Sequence, residues 1–511
     1  MRVEEFLEDS AARTPRKVGL VANGQRLTYA AVDGMANRLA HALIQIGVKR
    51  GDRVAICLPN SVEAVVGLFA ILKAGGAFVV INPATKPEKL VCILKHCGAK
   101  VLITDDRVTR HLQATNRLDE IPSLEGVVMS GKDPEQVCSV KHTHSFEAIQ
   151  NEFPSSRPPR TSIDLDLTCL IYTSGTTGEP KGVMCDHGNM VFAASSTNEY
   201  LRNSPDDILL NVLPLSYSYG LYQLLTIFQV GGMLVLEGSF AYPAAVLERI
   251  QQERVTGFAG VPTIFAMLAQ MNLTPFDLTS LRYLTNAAAA ISPDHIQILR
   301  RKLPGIAFYS MYGLTETKRA LYLPPDQLDI RPGSVGIAIP GTEVWVEDDA
   351  GNRLGPNQVG ELVVRGRHVM RGYWGDPAAT AARFRPGPLP GERVCHTGDL
   401  FRMDADGYFY FVSRKDDIIK CRGEKVAPKE IENVLYGLKG VVEAAVVGVP
   451  DPILGQAIKA IVVLNGTKLS ETQVLAHCRK HLEDFMVPKY VEFRGTLPKT
   501  ASGKITKKEL V

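Results

Sequence analysis

The sequence predicts an α/β protein: a large N-terminal part of two helix-covered β-sheet subdomains plus a small β-barrel, followed by a small α+β C-terminal domain. Three observations lead there. Helix-like stretches alternate with short apolar runs through about residue 310, the pattern of parallel sheets covered by helices. Between roughly 330 and 413 short strands are separated by Gly, Pro and Asp turns. After "SRKDD" (413–417) a compact piece of helix, strands and helix closes on "LPKTASGKITKKELV". The expected division is 1–413 and 414–511.

Taken in order, "YAAVDGMANRLAHALIQIG" (29–47) reads as a helix, and "RVAICLP" (53–59) and "AKVLITD" (99–105) as buried strands. "SVEAVVGLFAILKAGGAFVVINP" is interrupted by Glu63, Lys73 and paired Gly, too broken for a membrane span; it reads as helix, Gly stop and buried strand. "LTCLIY" (167–172) is a continuous apolar run of the kind a buried parallel strand shows. "TEVWVED", "GELVVRG" and "GYFYFVS" supply the barrel strands.

Composition narrows the class. Apolar residues make up 45% and charged residues 22% of 511, as in an ordinary globular protein. A net charge of +3 implies neither a nucleic acid nor a membrane surface as partner. The terminal piece from Arg414 carries 17 Lys and Arg against 12 Asp and Glu, which suits an anionic partner or simply a solvated surface. Nine scattered Cys, with no CxxC pair, read as reduced core residues and make zinc an unattractive reading. The acidic start lacks an apolar signal region, so a cytoplasmic protein is expected.

"YTSGTTGEPKG" (172–182) follows the strand 167–172 and packs hydroxyls, glycines and a Lys into one loop. Backbone N–H groups and hydroxyls in such a loop suit an anion. It is not a Walker A loop, because counting from Gly175 the Gly-Lys positions hold Pro180 and Lys181. A solvated Gly/Thr turn is the bland alternative. Five further stretches follow in one order: "LPLSYSYGL" (213–221), "LTNAAAAIS" (284–292), "SMYGLTET" (310–317), "CHTGDL" (395–400) and "PKTASGKI" (498–505). Each alone could be a turn, a cap or one more solvated amine.

Together with "SRKDDIIKCRGEKV" (413–426), this order resembles the adenylate-forming superfamily of acyl-CoA synthetases, peptide-synthetase adenylation domains and luciferases, and looks most like the AMP-forming acyl-CoA synthetases. The resemblance runs from "LTYAAVDGMANRLAHAL" to the last residue. It implies ATP and Mg2+ as cofactors, a carboxylic acid as substrate, and CoA, or the phosphopantetheine of a separate carrier protein, as acceptor. Thr173, Ser174, Gly175, Thr176, Thr177, Gly178 and Lys181 resemble the triphosphate loop. Glu316 looks like the magnesium carboxylate, Thr315 an α-phosphate contact, and Lys504 the terminal-domain Lys that bridges carboxylate and α-phosphate. Asn286, Ala287, Ala288, Tyr312, Gly313, Asp399 and Arg414 are the implied adenosine contacts, with Asp399 on the ribose hydroxyls and Tyr312 on adenine.

The resemblance also implies a mobile C-terminal domain turning about Asp416, which would bring Lys420, Arg422 and Gly423 to the thiol side. The acyl pocket would draw on Tyr217, Ser218, Tyr219, Gly220, Tyr222, Val261 and Phe265. Two places depart from common patterns: "NAAAA" (286–290) stands where many members carry Gly, and Tyr217 where many carry His. Ser218 stands where amino-acid-activating relatives place an Asp, and an uncharged Ser cannot offset a buried ammonium. A plain acyl or aryl acid is therefore expected over an amino acid. Luciferase-like oxygenation and an inactive nucleotide-binding scaffold are the remaining alternatives.

Overall fold

Helices begin where the sequence supplies caps. Thr28 accepts from the Ala31 N–H to open Tyr29–Ile46, and Ser61 from the Ala64 N–H to open Val62–Lys73. The computed structural model describes residues 1–511 except 115–116, 131–139, 175–179, 290, 422–423, 452–453, 500–504, 508 and 511. Among the described residues the chain forms four sheets.

The first has seven strands, in the order His142–Ser145, Gly126–Ser130, Ala99–Asp105, Arg53–Cys57, Ala77–Val80, Leu167–Ser174 and Pro180–Asp186. It is parallel until its last pair, where Leu167–Ser174 and Pro180–Asp186 run antiparallel around the Thr/Gly loop. The second has nine strands and is parallel through its centre: Ala307–Tyr312, Tyr283–Asn286, Gly257–Gly260, Ile208–Asn211, Met233–Leu236 and Val18–Ala22 lie side by side.

Helices Val62–Lys73 and Ser218–Val230 help to fill the core that joins the two sheets. Val62–Lys73 is buried at every position but Glu63, as a helix enclosed on all sides must be. Phe69 stacks on Phe228 at 5.5 Å, and both are fully buried, each contributing roughly 1.5–3 kcal/mol. Lys73 lies inside this core only because two carboxylates meet it: Glu8 and Asp33, each 2.8 Å from its Nζ.

The stretch read as a small barrel is, among the described residues, a five-stranded antiparallel sheet of Glu343–Glu347, Val359–Arg365, Phe384–Pro386, Arg393–Met403 and Phe409–Arg414. The chain then crosses at Lys415–Ile418 to a terminal sheet dominated by the hairpin Val441–Asp451 and Gly455–Leu464. Helices Pro428–Tyr436 and Glu471–His481 cover one face of that sheet, and Leu497 and Leu510 pack on the other.

Candidate active site

In an open parallel sheet, ligands gather at the carboxyl ends of the strands. Four neighbouring strands of the nine-stranded sheet end in the stretches the sequence singles out. Ile208–Asn211 leads to 213–222, Gly257–Gly260 to Val261, Tyr283–Asn286 to Ala287 and Ala288, and Ala307–Tyr312 to the 313–317 turn. Segments far apart in sequence therefore emerge along one edge.

Tyr312, the last residue of its strand, donates its hydroxyl to Asp399 Oδ2 at 2.6 Å and meets Phe401 edge-on at 4.8 Å. Burial, then the adjacent Asp399 carboxylate, holds the Tyr312 phenol well above its ordinary range, so it stays a donor at neutral pH. Arg414 faces Asp399 across the strand pair, with Nε 3.6 Å from Oδ1. Gly313 has no room for a side chain, because a Cβ would overlap the Lys318 carbonyl. That approach lets the turn close, with the Lys318 N–H bonded to the Leu314 carbonyl at 2.7 Å.

Glu316 is buried inside this turn and accepts from the Tyr373 hydroxyl at 2.6 Å. Tyr373 is not singled out by the sequence reading, yet it links both sheets. Its neighbours continue the seven-stranded sheet beyond Pro180–Asp186, through Trp374 N–H to the Gly182 carbonyl and Met184 N–H to the Gly372 carbonyl, both 2.8 Å. The Lys181 ammonium lies 5.4 Å from the centre of the Tyr373 ring. Arg383 approaches the same hydroxyl at 3.4 Å and donates to the His396 carbonyl at 2.9 Å. Thr173 and Lys181 face each other across the hairpin, as do Ser174 and Pro180; Gly175, Thr176, Thr177 and Gly178 lie outside the described residues.

This chemistry fits Mg2+. A small hard cation of this kind is usually held by one or two carboxylates together with substrate phosphates. Glu316 is a buried carboxylate of the type such an ion uses, and among the described residues no cluster of three or more His, Cys, Asp or Glu forms a separate metal cage.

Several buried polar atoms along the same edge lack a hydrogen-bond partner among the described residues, including Asn286 Oδ1, Thr317 Oγ1 and Arg319 Nε. Ala288 holds φ at +75°, a left-handed conformation that disfavours an L side chain. The 217–222 segment starts helix Ser218–Val230. Burial, against an opposing hydrogen bond with Asn82, raises the Tyr217 phenol, and Ser218 is partly buried. Tyr219 donates to the Thr285 carbonyl at 2.7 Å. Gly220 is required by the turn before it, where a Cβ would overlap the Leu213 and Pro214 carbonyls. Tyr222 is buried against the Met190 carbonyl, Val261 opens the next helix, and Phe265 is enclosed edge-on between Phe258 and Phe308.

On the other side of the crossing, Asp416 is exposed within the short turn Lys415–Asp417, and Lys420 is exposed on strand Ile419–Cys421. Arg422, Gly423 and Lys504 lie outside the described residues.

A buried carboxylate, a hydroxyl-rich hairpin and a Tyr–Asp pair, brought together from three sheets, suit a nucleotide-binding enzyme of the adenylating class. The family described as "AMP-binding enzyme" matches residues 7–374, its C-terminal domain matches 430–504, and the chain belongs to that family. It is 36% identical over 98% of its length to a feruloyl-CoA synthase of an Amycolatopsis species, covering 96% of that protein. It is 31% identical over its whole length to a long-chain-fatty-acid–CoA ligase of Bacillus subtilis, covering 94%. The solved structure of the anthranilate CoA ligase AuaEII with anthranoyl-AMP superposes over the whole chain and 96% of its own, with a TM-score of 0.91 at 28% identity.

Proposed function

We propose that this protein is an ATP-dependent, AMP-forming acid–thiol ligase. It joins a carboxylate to the α-phosphate of ATP, releasing pyrophosphate, and then passes the acyl group to the thiol of CoA, releasing AMP. The observation that carries the reading is the Glu316–Tyr373–Lys181 group, which ties the hydroxyl-rich hairpin to the sheet edge bearing Tyr312 and Asp399.

The first step brings two anions together, so the residues act mainly by neutralising charge and fixing alignment. Residues 173–178 and Lys181 hold the triphosphate, Thr315 the α-phosphate, and Asp399 with Arg414 the ribose. Tyr373 fixes the Glu316 carboxylate; Mg2+ held there with phosphate oxygens would screen the triphosphate charge. Tyr312 is anchored through Asp399, which orients its ring beside adenine together with Gly313 and 286–288. Lys504 supplies positive charge between carboxylate and α-phosphate.

For the second step, 414–511 turns about Asp416 and exchanges Lys504 for residues 420–423, opening a path for the thiol. The acid lies against 217–222, Val261 and Phe265. No helix among the described residues is long and apolar enough to cross a membrane. The scattered cysteines and the need for ATP and CoA support a cytoplasmic location.

The test is a panel of aliphatic, aromatic and amino acids with ATP and Mg2+, with and without CoA. Acid-dependent pyrophosphate and AMP, with a CoA thioester only when CoA is added, support the reading. Thioester on a phosphopantetheinylated carrier protein but not on CoA would move the acceptor, and silence with every acid would contradict the reading.

A further inference from the structure

Among the described residues, Arg319 is a buried cation without a carboxylate counter-ion. Its residue is 4% exposed, and among the described residues no carboxylate lies within ion-pair distance of it. Its Nη1 donates to the Lys318 carbonyl at 3.3 Å, while Nε has no hydrogen-bond partner among the described residues. The guanidinium lies 4.5 Å from the centre of the Tyr219 ring, and the Tyr200 phenol is a neutral hydrogen-bond neighbour of the same side chain. All these neighbours are neutral. Lys318 beside it is 1% exposed and donates to Cys185 Sγ at 3.3 Å.

The contrast with Lys73 is informative, since this fold elsewhere meets a buried cation with two carboxylates. An Arg cannot escape burial by losing its proton, and an uncompensated buried charge is strongly unfavourable. Arg319 is therefore suited to an anion that arrives with a ligand. Tyr219 and Tyr200 come from helices Ser218–Val230 and His187–Leu201, the first of which carries the acyl-side segment. The nucleotide-side pairs, Tyr312 with Asp399 and Tyr373 with Glu316, use other partners.

We propose that Arg319 is a specificity residue that binds a second anionic group on the acid, so that the preferred substrates are dicarboxylic acids. The guanidinium fork matches a carboxylate in two-point geometry, and the Tyr219 ring backs it. This rests on the ligase reading above.

The experiment measures kcat/KM for pyrophosphate release with matched acid pairs, each a dicarboxylic acid and a neutral monocarboxylic acid of equal size, in short, long and aromatic series. Wild-type enzyme should favour the dicarboxylic member of at least one pair by about 100-fold or more. Arg319→Met should erase that ratio, and Arg319→Lys should restore part of it. Equal or better use of the monocarboxylic member in every pair overturns the proposal while leaving the ligase reading intact. So does an Arg319→Met enzyme that loses activity on both members alike through a raised KM for ATP. No pyrophosphate with any acid overturns both readings. The wild-type comparison stands even if the variants do not fold.

Discussion

Replacing Asp399 separates its work on the nucleotide from its work on the fold. The carboxylate accepts the Tyr312 hydroxyl at 2.6 Å, faces Arg414, and in the proposed complex also accepts from the ribose. In Asp399→Asn one oxygen remains to hold Tyr312, but an NH2 replaces the other acceptor and the charge is gone. The ribose then loses at least one charge-assisted hydrogen bond, worth about 1.5–3 kcal/mol. That corresponds to roughly 10- to 150-fold weaker AMP binding. Asp399→Ala goes further, because it also removes the carboxylate acceptor of the buried Tyr312 hydroxyl, at about 1–3 kcal/mol of stability. Titration calorimetry with AMP and thermal unfolding of both variants make the comparison. Affinity should fall in both, and stability should fall clearly only in Asp399→Ala. Wild-type AMP affinity in Asp399→Asn would refute the assignment of this carboxylate to the nucleotide.

Ala288→Gly should stabilise the protein by about 0.5 kcal/mol, since removing the Cβ penalty of about 1–2 kcal/mol at φ +75° outweighs the roughly 0.4–1 kcal/mol that Gly costs by adding chain entropy to the unfolded state; denaturant unfolding reads this directly. Burial, then the neighbouring Arg2, lowers His187 from 6.5 to about 4, and its Nδ1 accepts from the Val3 N–H. The neutral ring is the folded form, so its contribution is intact above about pH 6.5 and about 3 kcal/mol is lost as pH falls through 4. Adjacent Glu4, raised by burial to about 7, acts oppositely between pH 4.5 and 7, so the informative quantity is the difference from His187→Asn, which should lose less stability on acidification. Lys504→Ala should suppress pyrophosphate release yet largely spare thioester formation from supplied acyl-AMP. Asp416→Pro should do the reverse; single-turnover assays of each half-reaction distinguish them.

Local signals carried most of the fold. The helix expected at 29–47 is Tyr29–Ile46, and the strands expected at 53–59 and 99–105 are Arg53–Cys57 and Ala99–Asp105, because apolar period, caps and Gly stops all act within a few residues. Much of the site was legible for a different reason: its residues stand in ordered motifs at strand ends, which sheet topology then brings side by side. Tyr373, Arg383 and Arg319 were not legible. Tyr373 meets Glu316 across 57 positions, and the Trp374 and Met184 pairings that place it join residues more than 180 apart. "GYWGD" shows no local pattern that announces such a contact. Arg319 stands outside every motif singled out in the sequence, in "TETKRAL", and only the tight turn at Gly313 marks where the chain takes it into the interior.

A crystal structure with a nonhydrolysable ATP analogue, magnesium and an accepted acid tests the central claim most directly. The nucleotide should lie between the 172–182 hairpin and Tyr312, with its ribose on Asp399, the cation on Glu316 and the acid against Tyr219. Nucleotide density away from this edge, or a cation bound without Glu316, would contradict the account.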